Sequence, residues 1–261
     1  MMASTRLMKR VAALLTAAAL SVSATAAFAA GGGVPGYDMK HSEHDLGNTA
    51  SLQRGSAMFV NYCMGCHSAQ YVRYNRVAED LELTQEQLEN NLMFAAEKPF
   101  ETMTIAMPEL DSKQWFGRTP PDLSLIARSR GADWLFNYLR TFYVDEKGSQ
   151  GVNNLLLPNA AMPHVLWELQ GIKRAVFVEE VDADNNKHEI FQEFQTVTPG
   201  TLSDAEYDEA ITDLVNFLVY IGEPMAMERR SLGIKVISFL VVLLILAFAL
   251  YKEMWKDVKK G

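Results

Sequence analysis

Cysteine is almost missing from this sequence: 261 residues contain two, Cys63 and Cys66. A pair so close in sequence cannot staple a fold, so a disulfide framework is excluded. A structural zinc site is disfavoured too, because it needs further Cys or His ligands at the right spacing and no second pair exists. Basic residues are also in deficit. The 24 Lys and Arg stand against 32 Asp and Glu, for a net charge of −8, the wrong sign for a nucleic-acid partner. No set of nucleophile, general acid and general base can be assembled from the residues, which argues against an enzyme acting on its own.

What chemistry there is sits at the cysteines. Cys63-Met64-Gly65-Cys66-His67 has the form Cys-x-x-Cys-His, the attachment sequence for a c-type haem. The two thiols can each add to one vinyl group of the porphyrin. The histidine directly after the second is then held against one face of the ring, where its imidazole ligates iron. Gly65 keeps the arch between the thiols free of a bulky side chain. A thioredoxin-like dithiol competes for the same residues, but it wants a βαβ setting and none is visible. The expectation is one covalently bound haem c, held by Cys63, Cys66 and His67.

The two ends carry the apolar runs. Arg6, Lys9 and Arg10 precede an Ala/Leu-rich stretch over 11–22, and Ala27-Phe28-Ala29 has the form of a cleavage site. Residues 1–29 therefore read as a signal peptide, and 30–230 as an exported haem domain. Near the other end, Ile234 to Tyr251 is interrupted only by Lys235 and Ser238. With Leu232 and Gly233 it reaches the roughly 20 residues a bilayer-crossing helix needs. We assign 231–252 to a transmembrane anchor and 253–261 to a cytoplasmic tail. Tyr251 and Trp255 suit the interface, and Lys252, Lys256, Lys259 and Lys260 the inner side. Setting aside the leader's three basic residues, and the five basic and two acidic residues from Ser231 onward, the exported domain has 16 basic and 30 acidic residues, a net of −14. Such a domain attracts a basic protein partner.

Between the ends the pattern is mainly α. Leu52 to Tyr62 reads as a helix delivering Cys63, and a capping box at Thr84-Gln85-Glu86-Gln87 starts another that runs toward Ala96. Lys98 to Pro121 reads as loop. Thr119 to Ser124 turns the chain into a helix ending at Arg130, and Asp133 to Tyr143 is amphipathic. A β-hairpin over 174–196 is a local excursion, after which Asp204 to Ile221 returns to helix. His41 and His44 lie in a polar stretch and read as solvated rather than metal-binding. A haem fixed by His67 still needs a second axial ligand. Met162 and His164, in the loop over 153–164, are candidates, as are Met103 and Met107.

Several segments together resemble the cytochrome c1 family, the haem subunits of cytochrome bc1 complexes. They are the attachment motif followed by Ser68, Tyr71-Val72 and Tyr74; Pro120-Pro121-Asp122-Leu123-Ser124 with Arg128 and Arg130; Ala161-Met162-Pro163; Glu223-Pro224; and Arg229-Arg230 leading into one C-terminal span. The resemblance implies that Met162 is the sixth ligand, that Arg130 lies near a haem propionate and that Trp134 lies beside the haem. It implies an electron-transfer subunit that takes electrons from a Rieske iron–sulfur protein and passes them to cytochrome c. Cytochrome b and membrane lipid would be its neighbours in a bacterial cytoplasmic membrane, with the haem domain in the periplasm. The hairpin departs from the compact form of the family. Two other readings are a membrane-tethered c-type cytochrome serving another respiratory complex, and a haem-based sensor, which would need a labile sixth site and a signalling domain.

Truncation after Arg230 is expected to release a soluble domain that keeps its haem spectrum, as measured by fractionation and absorbance after signal cleavage. A truncated chain that stays with the membranes would contradict the anchor assignment.

Overall fold

The computed structural model describes residues 34–181 and 187–256, so the leader, the tip of the hairpin and the last five residues lie outside the described part. The attachment motif is carried by helix α1, Thr49–Met58, which passes without a break into one π-helical turn, Phe59–Cys63. Asn48 caps the start by accepting the Ser51 N–H at 3.1 Å. At the other end, Met64 N–H donates to the Phe59 carbonyl at 2.9 Å. This wider turn carries Cys63 into the interior.

Strand β1, Ala69–Arg73, follows the motif directly and pairs antiparallel with β2, Thr102–Met103. Between them come α2, Tyr74–Asp80, and α3, Gln85–Asn91. The capping box on α3 is present as read, with Thr84 and Gln87 exchanging side-chain and backbone bonds. The helix stops at Asn91 rather than running toward Ala96. Leu92 and Met93 are both buried, and two adjacent buried residues break the period of a surface helix, so the chain turns inward there. The stretch read as loop contains β2 and also α4, Glu109–Phe116. Pro108 precedes α4, and Gly117 closes it at φ 76°, a left-handed position that suits glycine.

Two helices then meet at Gly131: α5, Ile126–Arg130, and α6, Ala132–Arg140. The second ends at Arg140 instead of reaching Tyr143. Phe142–Val144 forms strand β3, which pairs with β4, Val152–Asn154. Aromatic and β-branched side chains favour that extended form. A short helix α7, Trp167–Gln170, leads into the hairpin of β5, Gly171–Val181, and β6, Lys187–Pro199. The hairpin is longer than its sequence pattern suggested and carries two irregularities in register. Strand β6 is anchored at Phe191, which packs edge-on against Tyr37 and donates its N–H to the Pro35 carbonyl.

Helix α8, Asp204–Gly222, is the spine of the core. A capping box between Ser203 and Glu206 starts it, and Ile211, Leu214, Val215 and Leu218 form its inward stripe. It crosses α1 at very short range. A Cβ on Gly55 would lie 2.0 Å from the Asp213 carbonyl oxygen, so only glycine allows this approach. Around the crossing, Phe59 packs on Phe217 at 5.5 Å, and Arg54 grips the buried Asp213 carboxylate through two bonds of 2.6 and 2.9 Å. Asn216 Nδ2 donates to the Asp45 carbonyl and to Ser51 Oγ. Burial of each large apolar side chain here contributes about 2 kcal/mol.

After Pro224 one helix, α9, runs from Ala226 to Met254. The anchor boundary drawn at 231 thus falls inside a continuous helix. Its mean hydropathy over the most apolar window is 2.7, and none of that window is buried in the fold. At 1.5 Å per residue, 29 residues span about 44 Å, enough to cross a bilayer. The chain therefore carries one candidate membrane span among the described residues.

The α1–α8 crossing gives a direct test. Gly55→Ala forces a methyl group against backbone and is expected to cost about 3 kcal/mol or more. For a domain of this size that corresponds to a fall in Tm of about 10 °C. An unchanged thermal melt would contradict the close crossing.

Candidate haem site

The site is built on one hydrogen bond. His67 Nδ1 lies 2.7 Å from the Pro121 carbonyl oxygen. A carbonyl can only accept, so Nδ1 carries the proton and Nε2 keeps its lone pair free for a metal. Burial lowers the His67 pKa, with the Pro121 bond and the Asp122 charge working the other way, so the ring favours its neutral form. The motif's own backbone helps: Cys66 and His67 N–H both donate to the Cys63 carbonyl, at 3.0 and 2.9 Å, folding the arch back on itself.

The Pro-Pro-Asp-Leu-Ser segment is what holds that carbonyl in place. Leu123 N–H donates to the Ser68 carbonyl at 2.8 Å. The Asp122 carboxylate accepts the Gln70 N–H at 2.8 Å and the Ser124 N–H at 2.9 Å, and Ser124 Oγ accepts the Tyr71 N–H. The segment is thus laced to the residues directly after His67. The prolines lack N–H groups and fix φ, so they add stiffness without leaving donors unpaired.

His67, Cys63 and Cys66 line an apolar cleft of about 290 Å³. Both thiols are free. Burial pushes the Cys63 thiol up to about 12 and also raises Cys66, so both are held as thiols rather than thiolates. A Cβ on Gly65 would meet no atom of the chain within 4 Å, so the polypeptide itself does not demand glycine in the arch. Far from the motif in sequence, the loop over 157–165 contributes Leu157, Ala160, Ala161, Met162, Pro163 and Val165 to the same cleft.

The axial candidates separate cleanly. Met162 lines the cleft, whereas Met103, Met107 and His164 do not. Met103 is fully buried in the core. His164 stacks flat on Phe142, at 5.2 Å and 3° between planes, and its burial lowers its pKa to about 4. Arg130 and Trp134 also line the cleft, with the Arg130 guanidinium 5.0 Å above the Trp134 ring. His41 lies 3.0 Å from the Asp133 carboxylate, and His44 lies 3.2 Å from the Ser42 carbonyl. No group of three or more potential metal-binding His, Cys, Asp or Glu side chains occurs among the described residues.

Several site residues were not legible beforehand. Phe116 and Arg118 reach the cleft from α4 and its C-terminal turn, in the stretch read as loop; Pro108 and Gly117 were the signals for that helix. Leu214 and Leu218 close the cleft from α8. The buried Asn154 had no sequence signal at all. Its Nδ2 donates to the Tyr138 carbonyl at 2.7 Å, and its Oδ1 accepts the Leu156 and Leu157 N–H groups at 2.9 and 3.2 Å. Asn153 Oδ1 accepts the Asn159 N–H in the same loop. This pair shapes the segment that presents Met162.

The residues fit a haem. Two thiols, a neutral imidazole with Nε2 free and a thioether line one apolar cleft, and two arginines stand beside it for carboxylate groups. Comparison with known proteins agrees. The Cytochrome C1 family profile matches residues 40–258. Cytochrome c1 of Allochromatium vinosum is 45% identical over 245 residues, covering 94% of this chain and 98% of the relative. The protein named ammonia monooxygenase gamma subunit in Nitrosomonas europaea is 44% identical over 214 residues, covering 82% and 86%. Cytochrome c1 of Rhodospirillum rubrum is 27% identical over 242 residues, covering 80% and 82%.

Met162→Leu removes the thioether at similar apolar volume, so packing changes little. The reduction potential is expected to drop by about 100 mV or more, within the roughly 0.8 V range that axial ligation spans. Potentiometry checks this. An unchanged potential would show that Met162 is not a ligand.

Proposed function

The chain belongs to the cytochrome c1 family, and from that premise we propose that it is the electron-carrying haem subunit of a cytochrome bc1 complex, with one haem c bound through Cys63 and Cys66 and ligated by His67 and Met162. The observation that carries the reading is the meeting of those four side chains on one cleft, with the His67 Nδ1–H already committed to Pro121. Bound there, haem supplies a one-electron couple between ferric and ferrous iron.

Each residue has a defined task. Cys63 and Cys66 would hold the haem through their thiols, one at each vinyl group. His67 offers Nε2 as a neutral donor. Met162 offers a soft sulfur, which favours the reduced state. Arg130, and with it Arg118, compensates the negative charge of propionates, while Trp134 and the aliphatic walls exclude water. With His67 and Met162 both holding the iron, the chain would leave no open position for a substrate, which suits electron transfer.

The partners follow from the family. The electron arrives from a Rieske iron–sulfur protein and leaves to a cytochrome c, with cytochrome b as the membrane neighbour. The one candidate membrane helix among the described residues anchors the subunit, and a cleaved leader would put the haem domain on the periplasmic side of a bacterial cytoplasmic membrane. Purification in mild detergent should bring cytochrome b and the Rieske protein with the chain; isolation with a different respiratory complex would overturn that assignment.

The acidic domain sets the kinetics. Carrying a net of −14 over residues 31–230, it steers a basic cytochrome c toward itself. Screening lengths shrink from about 30 Å at 0.01 M salt to about 8 Å at physiological ionic strength. The second-order rate of electron delivery to a basic cytochrome c should therefore fall about tenfold or more across that range and above it. A flat rate in stopped-flow experiments would reject steering.

A further inference from the structure

Tyr138 holds a position that the ligand set alone does not explain. Its hydroxyl lies 3.5 Å from Met162 Sδ, with the O–H as donor and the thioether as acceptor. The residue is 9% exposed, so bulk water competes little for the bond. The ring cannot easily swing away. Trp134 stacks on it at 4.9 Å with 10° between planes, and Phe142 meets it edge-on at 5.2 Å. The spacing 134, 138, 142 brings these three rings into one row. The backbones are tied as well, because Asn154 bonds the Tyr138 carbonyl on one side and two N–H groups of the Met162 loop on the other.

Resting on the ligand assignment above, we infer that Tyr138 is a positioning residue for Met162 and raises the reduction potential of the site through its O–H···S hydrogen bond. A thioether sulfur has two lone pairs. The phenol takes one and leaves the other, so the bond fixes which lone pair faces the cleft. It also draws electron density from sulfur. Less density is then donated to the metal, and the electron-rich reduced state gains relative to the oxidised one. The third ring contact of the row, Phe142 against His164, keeps the rival histidine stacked away from the cleft.

A hydrogen bond of ordinary net strength that acts on one oxidation state changes the ferrous-to-ferric ratio at fixed ambient potential by about 2- to 10-fold. Converted at 59 mV per decade, this is about 20–60 mV. Spectroelectrochemical titration of the full-length chain tests it with two variants. Tyr138→Phe keeps both ring contacts and removes only the hydroxyl. It is expected to retain the weak near-infrared band of a ferric thioether bond and to lower the ratio by that factor. Tyr138→Leu removes the ring as well and should lower it at least as far. A potential unchanged in Tyr138→Phe, or lowered only in Tyr138→Leu, would overturn the inference while leaving the ligand assignment intact. Absence of the thioether band from the unsubstituted protein would overturn both.

Discussion

Much of this structure exists to hold one imidazole by one nitrogen. The His67 Nδ1–H donates to the Pro121 carbonyl, and that bond fixes both the ring's orientation and its tautomer. A carbonyl is a usable anchor only if it does not move. Asp122, Leu123 and Ser124 secure it by bonding the backbone of Ser68, Gln70 and Tyr71, the residues directly after the histidine. Each of those bonds is replaceable, but the set leaves the carbonyl no freedom. The other flank of the motif is secured by the α1–α8 crossing, where the absence of a side chain at Gly55 lets two backbones touch. The motif is thus held between a laced loop and a close helix pair.

The part of the cleft lined by α6 and the Met162 loop is organised by different physics. Here Trp134 and Tyr138 of α6 supply flat surfaces, with the guanidinium of Arg130 over Trp134 and Phe142 of β3 edge-on against Tyr138. A buried asparagine supplies the fixed points. Asn154 uses both ends of its amide to join the α6 carbonyl to the loop that carries Met162. Leaving such a group unpaired would cost about 1–3 kcal/mol, so its full satisfaction also defines the loop's shape. Rigid placement of a soft ligand is what an electron carrier needs, since little must rearrange when the charge changes.

The chemistry was more legible in the sequence than the geometry. Cys-x-x-Cys-His names its function by spacing, and the apolar run of the anchor is a composition signal that no neighbouring contact can disguise. The capping box read at Thr84 is present, and a second one of the same local form, at Ser203, starts α8. The hairpin was visible in its alternation, although its strands extend several residues further at each end. What escaped was decided by partners distant in sequence. The turn at Leu92 depends on burial against the core. The end of α6 depends on pairing between Phe142 and Asn154. The choice among Met162, His164, Met103 and Met107 is a matter of which side chain faces the cleft, and periodicity carries no such information. Helix α4 is the exception: its proline and glycine punctuation was readable, but a short polar helix with little periodicity looks like loop.

We propose His67 and Met162 as the two iron ligands of a bound haem. Proton NMR of the ferrous full-length protein in detergent tests this assignment most directly, because the methyl group of a ligating methionine sits over the porphyrin and is shifted far upfield by the ring current. One such methyl signal is expected, absent from Met162→Leu. A spectrum with no shifted methionine methyl, or one whose signal survives that substitution, would contradict it.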